Sequence, residues 1–91
     1  VGGLAADTIF GENGEDQLFG NEAADTLRGG NDNDVLEGGD APDRMWGENG
    51  DDTLRGENGN DRLVGGEGTD SADGGLNLDN CDAETEVGCE L

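Results

Sequence analysis

The sequence predicts an all-β fold, a flattened parallel solenoid of eighteen residues per full turn, and three observations predict it. Glycine stands at positions 2, 11, 20, 29, 38, 47, 56, 65 and 74, and aspartate at 7, 16, 25, 34, 43, 52, 61, 70 and 79, so a nine-residue unit repeats without a register break. The eighth slot of the unit holds Ile9, Leu18, Leu27, Leu36, Met45, Leu54, Leu63, Ala72 and Cys81. One apolar residue in nine makes neither a 3.6-residue stripe nor a sustained alternation. Glycine, 19 of 91 residues, is too frequent for helix.

Each unit divides into a turn and a strand. Slots one to six are turn-like, with glycine where positive φ or close backbone approach is needed. Slots seven to nine read as a three-residue strand whose central residue faces one way and whose neighbours face the other. Examples are Thr8-Ile9-Phe10, Gln17-Leu18-Phe19, Thr26-Leu27-Arg28 and Arg44-Met45-Trp46. A turn plus a strand is half a coil, so alternate strands build two facing parallel sheets, with the eighth-slot side chains between them as the sole core. Residues eighteen apart then stack at about 4.8 Å. On the outer faces this puts Glu37 beside Arg55 and aligns Arg28, Trp46 and Val64, with Arg28 able to lie over the indole. Such exposed pairs contribute only about 0–1 kcal/mol each and read as a solvated face.

Composition says that this thin core needs help. The formal net charge is −20, aromatics are 3%, and there is no histidine. Acidic, glycine-rich chains of this kind do not recover their ordering entropy by apolar burial. The only cations are Arg28, Arg44, Arg55 and Arg62, which excludes the basic footprint that nucleic acid or an anionic membrane requires. No apolar run approaches transmembrane length, and no signal-peptide pattern opens the chain. It begins on Val1 inside the pattern, as expected of a processed product or a piece of a longer protein.

The aspartates supply the missing stabilisation. Stacking sets Asp7 beside Asp25, Asp25 beside Asp43, and Asp16, Asp34, Asp52 and Asp70 in a second row. Adjacent carboxylates raise each other's pKa unless a cation lies between them. Calcium is the expected ion, because it takes six to eight oxygens from carboxylates and from the carbonyls that glycine turns expose. The chain is therefore expected to be disordered without metal and to fold on binding it.

These residues resemble the RTX family of calcium-binding nonapeptide repeats, G-G-x-G-x-D-x-U-x, over roughly residues 2–82. The turn Gly65-Gly66-Glu67-Gly68-Thr69-Asp70 matches it in full. The resemblance implies a parallel β-roll in which Ca2+ sits between turns eighteen residues apart. It implies carboxylate ligands at Asp7, Asp16, Asp25, Asp34, Asp43, Asp52, Asp61, Asp70 and Asp79. It also implies backbone carbonyl ligands, here Gly11, Asn13, Gly29, Asn31, Gly47, Asn49, Gly65 and Glu67. Taken as i, i+18 pairs, the aspartates allow up to seven sites. Pairs 16/34, 34/52 and 52/70 line the even edge, and 7/25, 25/43, 43/61 and 61/79 the odd edge.

The edges differ in slot four. Even loops carry Gly14, Gly50 and Gly68 there, with Asp32 as the exception, whereas odd loops carry Ala5, Ala23, Ala41, Gly59 and Asn77. If that slot needs positive φ, each alanine costs of order 1 kcal/mol. The even edge is thus expected to be loaded fully and the odd edge less, above all at 7/25. Pro42, lacking an amide proton, is expected where that proton would face solvent.

Residues 1–82 form the nine repeats and 83–91 a C-terminal capping segment. A disulfide between Cys81 and Cys89 is expected to staple that cap across the open end of the roll, given an oxidising extracellular setting. The tail shows no convincing one-step secretion signal, so a periplasmic route fits the cysteines better. No cap precedes Gly2-Gly3-Leu4-Ala5-Ala6-Asp7, which leaves room for more repeats, another domain or another copy at that end.

The expected function is a secreted, extracellular or cell-surface calcium-binding module of bacterial type, serving as a spacer or folding switch. The alternative is a filament or adhesin subunit stacking end to end. An enzyme is not expected: there is no histidine, tyrosine or G-x-S-x-G, and every paired carboxylate belongs to a repeating row. EF-hand spacing is absent, and the mixed outer rows lack the threonine array of an ice-binding face.

Overall fold

In a computed structural model the chain is all-β. The described residues are 5–75, together with the backbone of 80–82 and 85–87. Strands run Thr8–Glu12 (β1), Gln17–Asn21 (β2), Thr26–Gly30 (β3), Val35–Gly39 (β4), Arg44–Asn49 (β5), Thr53–Glu57 (β6), Arg62–Glu67 (β7), Ser71–Asp73 (β8), Asn80–Asp82 (β9) and Thr85–Val87 (β10). They pair in parallel as two sheets, β1-β3-β5-β7-β9 and β10-β8-β6-β4-β2, so successive strands alternate between sheets.

The register is the one the spacing dictates. Ile9 pairs with Leu27, Leu27 with Met45 and Met45 with Leu63, while Leu18 pairs with Leu36 and Leu36 with Leu54. Each step is eighteen residues. Only the final pairing departs: Thr85 stands opposite Ser71, fourteen residues away, and β10 adds a rung to the even sheet. The rest of residues 83–91 lies outside the described residues, as do Asp79, Cys89 and the Cys81 side chain. The expected disulfide therefore falls outside them too.

Strands are longer and turns shorter than the three-plus-six division expected from sequence. Most strands continue through slots one and two of the next unit. The reason is the slot-one glycine, which is buried from Gly20 to Gly74 and lets the backbone stay extended close to the interior. Leu18, Leu27, Leu36, Met45, Leu54, Leu63 and Ala72 form the buried file between the sheets, and Ile9 packs partly buried against its end. The shortest extent of the molecule, 12 Å, is about one sheet-to-sheet spacing.

Outside, Arg28 pairs with Trp46 in register and lies 5.0 Å from its ring centroid. Trp46 is followed by Val64, and Glu37 stands beside Arg55. Phe10, 57% exposed, stands in register with Arg28 and begins the row that continues to Trp46 and Val64.

Candidate metal centre

The aspartates are interior residues. Because inward and outward side chains alternate along an extended segment, an aspartate two residues before an inward leucine also points inward. Asp25, Asp34, Asp43, Asp52, Asp61 and Asp70 are only 1–3% exposed, and Asp7 and Asp16 are half-buried. Each row of carboxylates runs along one edge of the leucine file.

Carboxylates from Asp25 to Asp70 are each clamped to the coil before them. The amide of Asp7 donates to Asp25 Oδ1 at 2.7 Å, that of Asp16 to Asp34 at 2.8 Å, and that of Asp25 to Asp43 at 2.7 Å. Asp34, Asp43 and Asp52 donate in turn to Asp52, Asp61 and Asp70, each at 2.8 Å. The aspartate carbonyls accept the next coil's slot-seven amides, as when Thr53 donates to Asp34 at 2.8 Å. Six of the seven i, i+18 pairs are thus in direct contact.

The second oxygen is different. Oδ2 of Asp16, Asp25, Asp34, Asp43 and Asp52 is buried with no hydrogen-bond partner. A buried anionic oxygen left unpaired is costly. It faces a cradle made by the slot-one glycine. A Cβ on Gly20 would lie 2.6 Å from Asp25 Oδ2 and 2.7 Å from the Gly38 carbonyl. On Gly29 it would lie 2.5 Å from Asp34 Oδ2 and 2.8 Å from the Gly47 carbonyl. A carboxylate oxygen of one coil and a carbonyl of the next therefore converge where only glycine leaves room. All these donors are hard oxygens, the set that Ca2+ prefers.

Burial sets the titration of these groups. Asp43 and Asp52 are pushed up to about 6, foremost by burial, against the lowering effect of the amide each accepts; neighbouring aspartates raise them further. Asp34 is raised for the same reasons. Repulsion within the row, the effect expected from sequence, is present but smaller than desolvation. Among the described residues no three His, Cys, Asp or Glu side chains converge as a metal cluster. Backbone carbonyls must then complete any donor set.

The chain belongs to the RTX calcium-binding nonapeptide-repeat family. Its four-copy pattern matches residues 1–36, 37–72 and 46–79. No curated protein and no solved structure matches the chain. Family membership makes this a calcium-binding repeat module built on a β-solenoid.

Of the RTX carbonyls named from sequence, Gly29 and Gly47 lie in such cradles, and Gly38 and Gly74, not anticipated, occupy the same place on the odd edge. Gly11 and Gly65 hold the equivalent slot-one position. Asn13 and Asn31 follow their strands, while Asn49 and Glu67 end β5 and β7 in mutual register.

Slot four does take positive φ, at Ala23 (75°), Asp32 (77°) and Ala41 (74°) as well as at Gly14, Gly50, Gly59 and Gly68. Slot two takes it too, at Glu12 (76°), Asn21 (77°), Glu48 (76°) and Glu57 (70°), a requirement missed from sequence. Those residues fall two to each edge, so slot two adds strain to both edges alike and leaves the difference set by slot four unchanged. Loop 20–25 carries both kinds, Asn21 and Ala23.

Side-chain rungs spaced eighteen apart tie the coils on both edges: on the odd edge Asn58 Nδ2 donates to Asp40 Oδ1 at 2.9 Å, and on the even edge the rungs repeat. Asn49 Nδ2 donates to Asn31 Oδ1 at 3.0 Å, and Asn31 Nδ2 to Asn13 Oδ1 at 2.7 Å. The slot-five amides of Asp51 and Thr69 donate to Asn33 and Asp51 Oδ1. Pro42 occupies slot five of an odd loop, where the residue one coil earlier is Ala24. A donor there would find no side-chain acceptor, so proline forfeits no such bond.

Proposed function

We propose that this RTX chain is a calcium-dependent folding and spacer module of a secreted protein. Family repeats are typical of secreted bacterial proteins. The observation that carries the reading is the row of buried, unpartnered Oδ2 atoms converging with glycine carbonyls of the next coil. Buried as they are, these oxygens are closed to water. The sites lie between coils at 16/34, 34/52 and 52/70 on the even edge and at 7/25, 25/43, 43/61 and 61/79 on the odd edge, with slot-one carbonyls as partners. A bound Ca2+ would neutralise adjacent carboxylates and tie two coils together, so its binding energy becomes folding energy. Residues 1–82 form the repeat body and 83–91 its cap. No catalytic role is assigned, since each carboxylate pair is part of a ladder.

Far-UV circular dichroism with calcium, and with magnesium as control, tests this. A cooperative rise of β signal with calcium alone is expected. A β spectrum unchanged in chelator would overturn the folding role. End-to-end stacking is a second reading, favoured by the edge positions of β1 and β2 and by the partial exposure of Ile9. Sedimentation at rising protein concentration in calcium checks it, and an invariant monomer would refute it.

A further inference from the structure

Three asparagines precede glycine, in Asn13-Gly14, Asn49-Gly50 and Asn58-Gly59, and all three occupy slots three and four. Each is exposed. In such a pair the glycine amide nitrogen, once deprotonated, attacks the asparagine Cγ unhindered by any side chain. A C–N bond forms and ammonia leaves, closing a succinimide ring. Water then opens the ring at either carbonyl to give aspartate or isoaspartate. No oxidant and no partner beyond water is consumed.

We propose that Asn49 and Asn58 are spontaneous deamidation sites gated by calcium, and that their conversion weakens the roll irreversibly. The inference rests on the calcium-driven folding proposed above. In the coiled state Asn49 Nδ2 is held by Asn31 Oδ1 at 3.0 Å and Asn58 Nδ2 by Asp40 Oδ1 at 2.9 Å. Both bonds direct the amide along the stack rather than toward its own backbone. They span eighteen residues, so they vanish when the coils separate, and the side chains then rotate freely onto the glycine nitrogen. Asn13 is protected a second way. The Gly14 amide, the nucleophile itself, donates to Asp32 Oδ2 at 3.0 Å. Gly68 stands at the corresponding place one coil above Gly50 and offers no side-chain acceptor.

The consequence is greatest at Asn58. A carboxylate there replaces the donor to Asp40 by a like charge in a chain already at −20. Isoaspartate also adds a backbone atom between Glu57 (φ 70°) and Gly59 (φ 111°), two residues that hold the turn at positive φ. Time spent without calcium is thereby recorded as lost affinity for it.

The test is to age the full chain at mildly alkaline pH in calcium and in chelator, then map peptides by mass spectrometry that separates aspartate from isoaspartate. Conversion at Asn49 and Asn58 should be at least about tenfold slower in calcium, the protection that a modest opening free energy confers. In calcium, Asn13 should convert last. Circular dichroism of the same samples separates two failures. Equal rates in both conditions despite a calcium-folded spectrum would overturn the gating alone, and no spectral response to calcium would remove its premise. Absence of conversion in chelator would refute the sites. Independently, Asn58→Asp should raise the calcium midpoint about threefold or more, the scale of one lost hydrogen bond. An unchanged midpoint would refute the claimed weakening.

Discussion

The substitution Asp52→Asn separates the hydrogen-bonding role of this side chain from its proposed role as a calcium ligand. The amide side chain would keep the acceptor Oδ1 that receives the Asp34 N–H at 2.8 Å, so the ladder survives. It would lose the charge and replace the unpartnered Oδ2 by a nitrogen. Without metal this relieves an anion whose pKa burial has lifted to about 6, so the metal-free chain should not lose β structure and should gain some. With calcium the sign reverses. Asp52 contacts both Asp34 and Asp70 and so belongs to two proposed sites. At calcium a hundredfold above Kd, each bound ion contributes about 2.7 kcal/mol, and losing both costs about 5 kcal/mol. Urea denaturation in saturating calcium reads the loss, and circular dichroism in chelator reads the metal-free effect. Equal destabilisation in both media would show that Asp52 acts only as a hydrogen-bonding rung, which would sink the ligand argument.

Acidification should mimic metal in part. The folded values of Asp43 and Asp52 are raised from 3.8 to about 6, so the stability they confer on the metal-free roll is fully present below about pH 4 and is lost as pH rises through about 6. β signal in chelator should therefore grow on lowering the pH, and calcium affinity should fall as protons compete below about pH 6; a flat profile would contradict the burial of these groups. Gly29→Ala should disrupt the 16/34 and 34/52 sites, because its Cβ meets Asp34 Oδ2 at 2.5 Å and the Gly47 carbonyl at 2.8 Å; overpacking of this kind costs about 1–3 kcal/mol. Gly14→Ala, with nothing within 4 Å, should cost only the strain of its φ of 95°, about 1 kcal/mol, and equal calcium midpoints for the two variants would refute the cradle. Ala23→Gly should stabilise the calcium form by up to about 1 kcal/mol in thermal melts by relieving a φ of 75°. Unchanged melting would mean that this loop bears no strain.

Much of the architecture is legible in one dimension because the repeat is rigidly periodic. A nine-residue period with one aliphatic residue per unit specifies strand spacing, the eighteen-residue register and the file Leu18 to Ala72, all of which the structure reproduces. The outer rows, Arg28 on Trp46 and Glu37 beside Arg55, follow from the same arithmetic. Family membership was legible too, in the G-G-x-G-x-D turn at residues 65–70.

Other features depend on where atoms lie rather than on how far apart residues are in sequence. The pattern names Asp34, Asp43 and Asp52 without saying that they turn inward beside the leucines, or that burial outweighs mutual repulsion in raising them. It repeats glycine in slot one without showing that the missing Cβ is the gap where an orphaned carboxylate oxygen meets a carbonyl of the next coil. Slot two conceals its positive φ behind Glu12, Asn21, Glu48 and Glu57, residues that sequence alone would not place there. By itself the sequence determined the period, and so which residues are neighbours between coils. Only the tertiary structure decided which oxygens those neighbours leave unpaired, because desolvation and backbone handedness arise when coils stack and not along the chain.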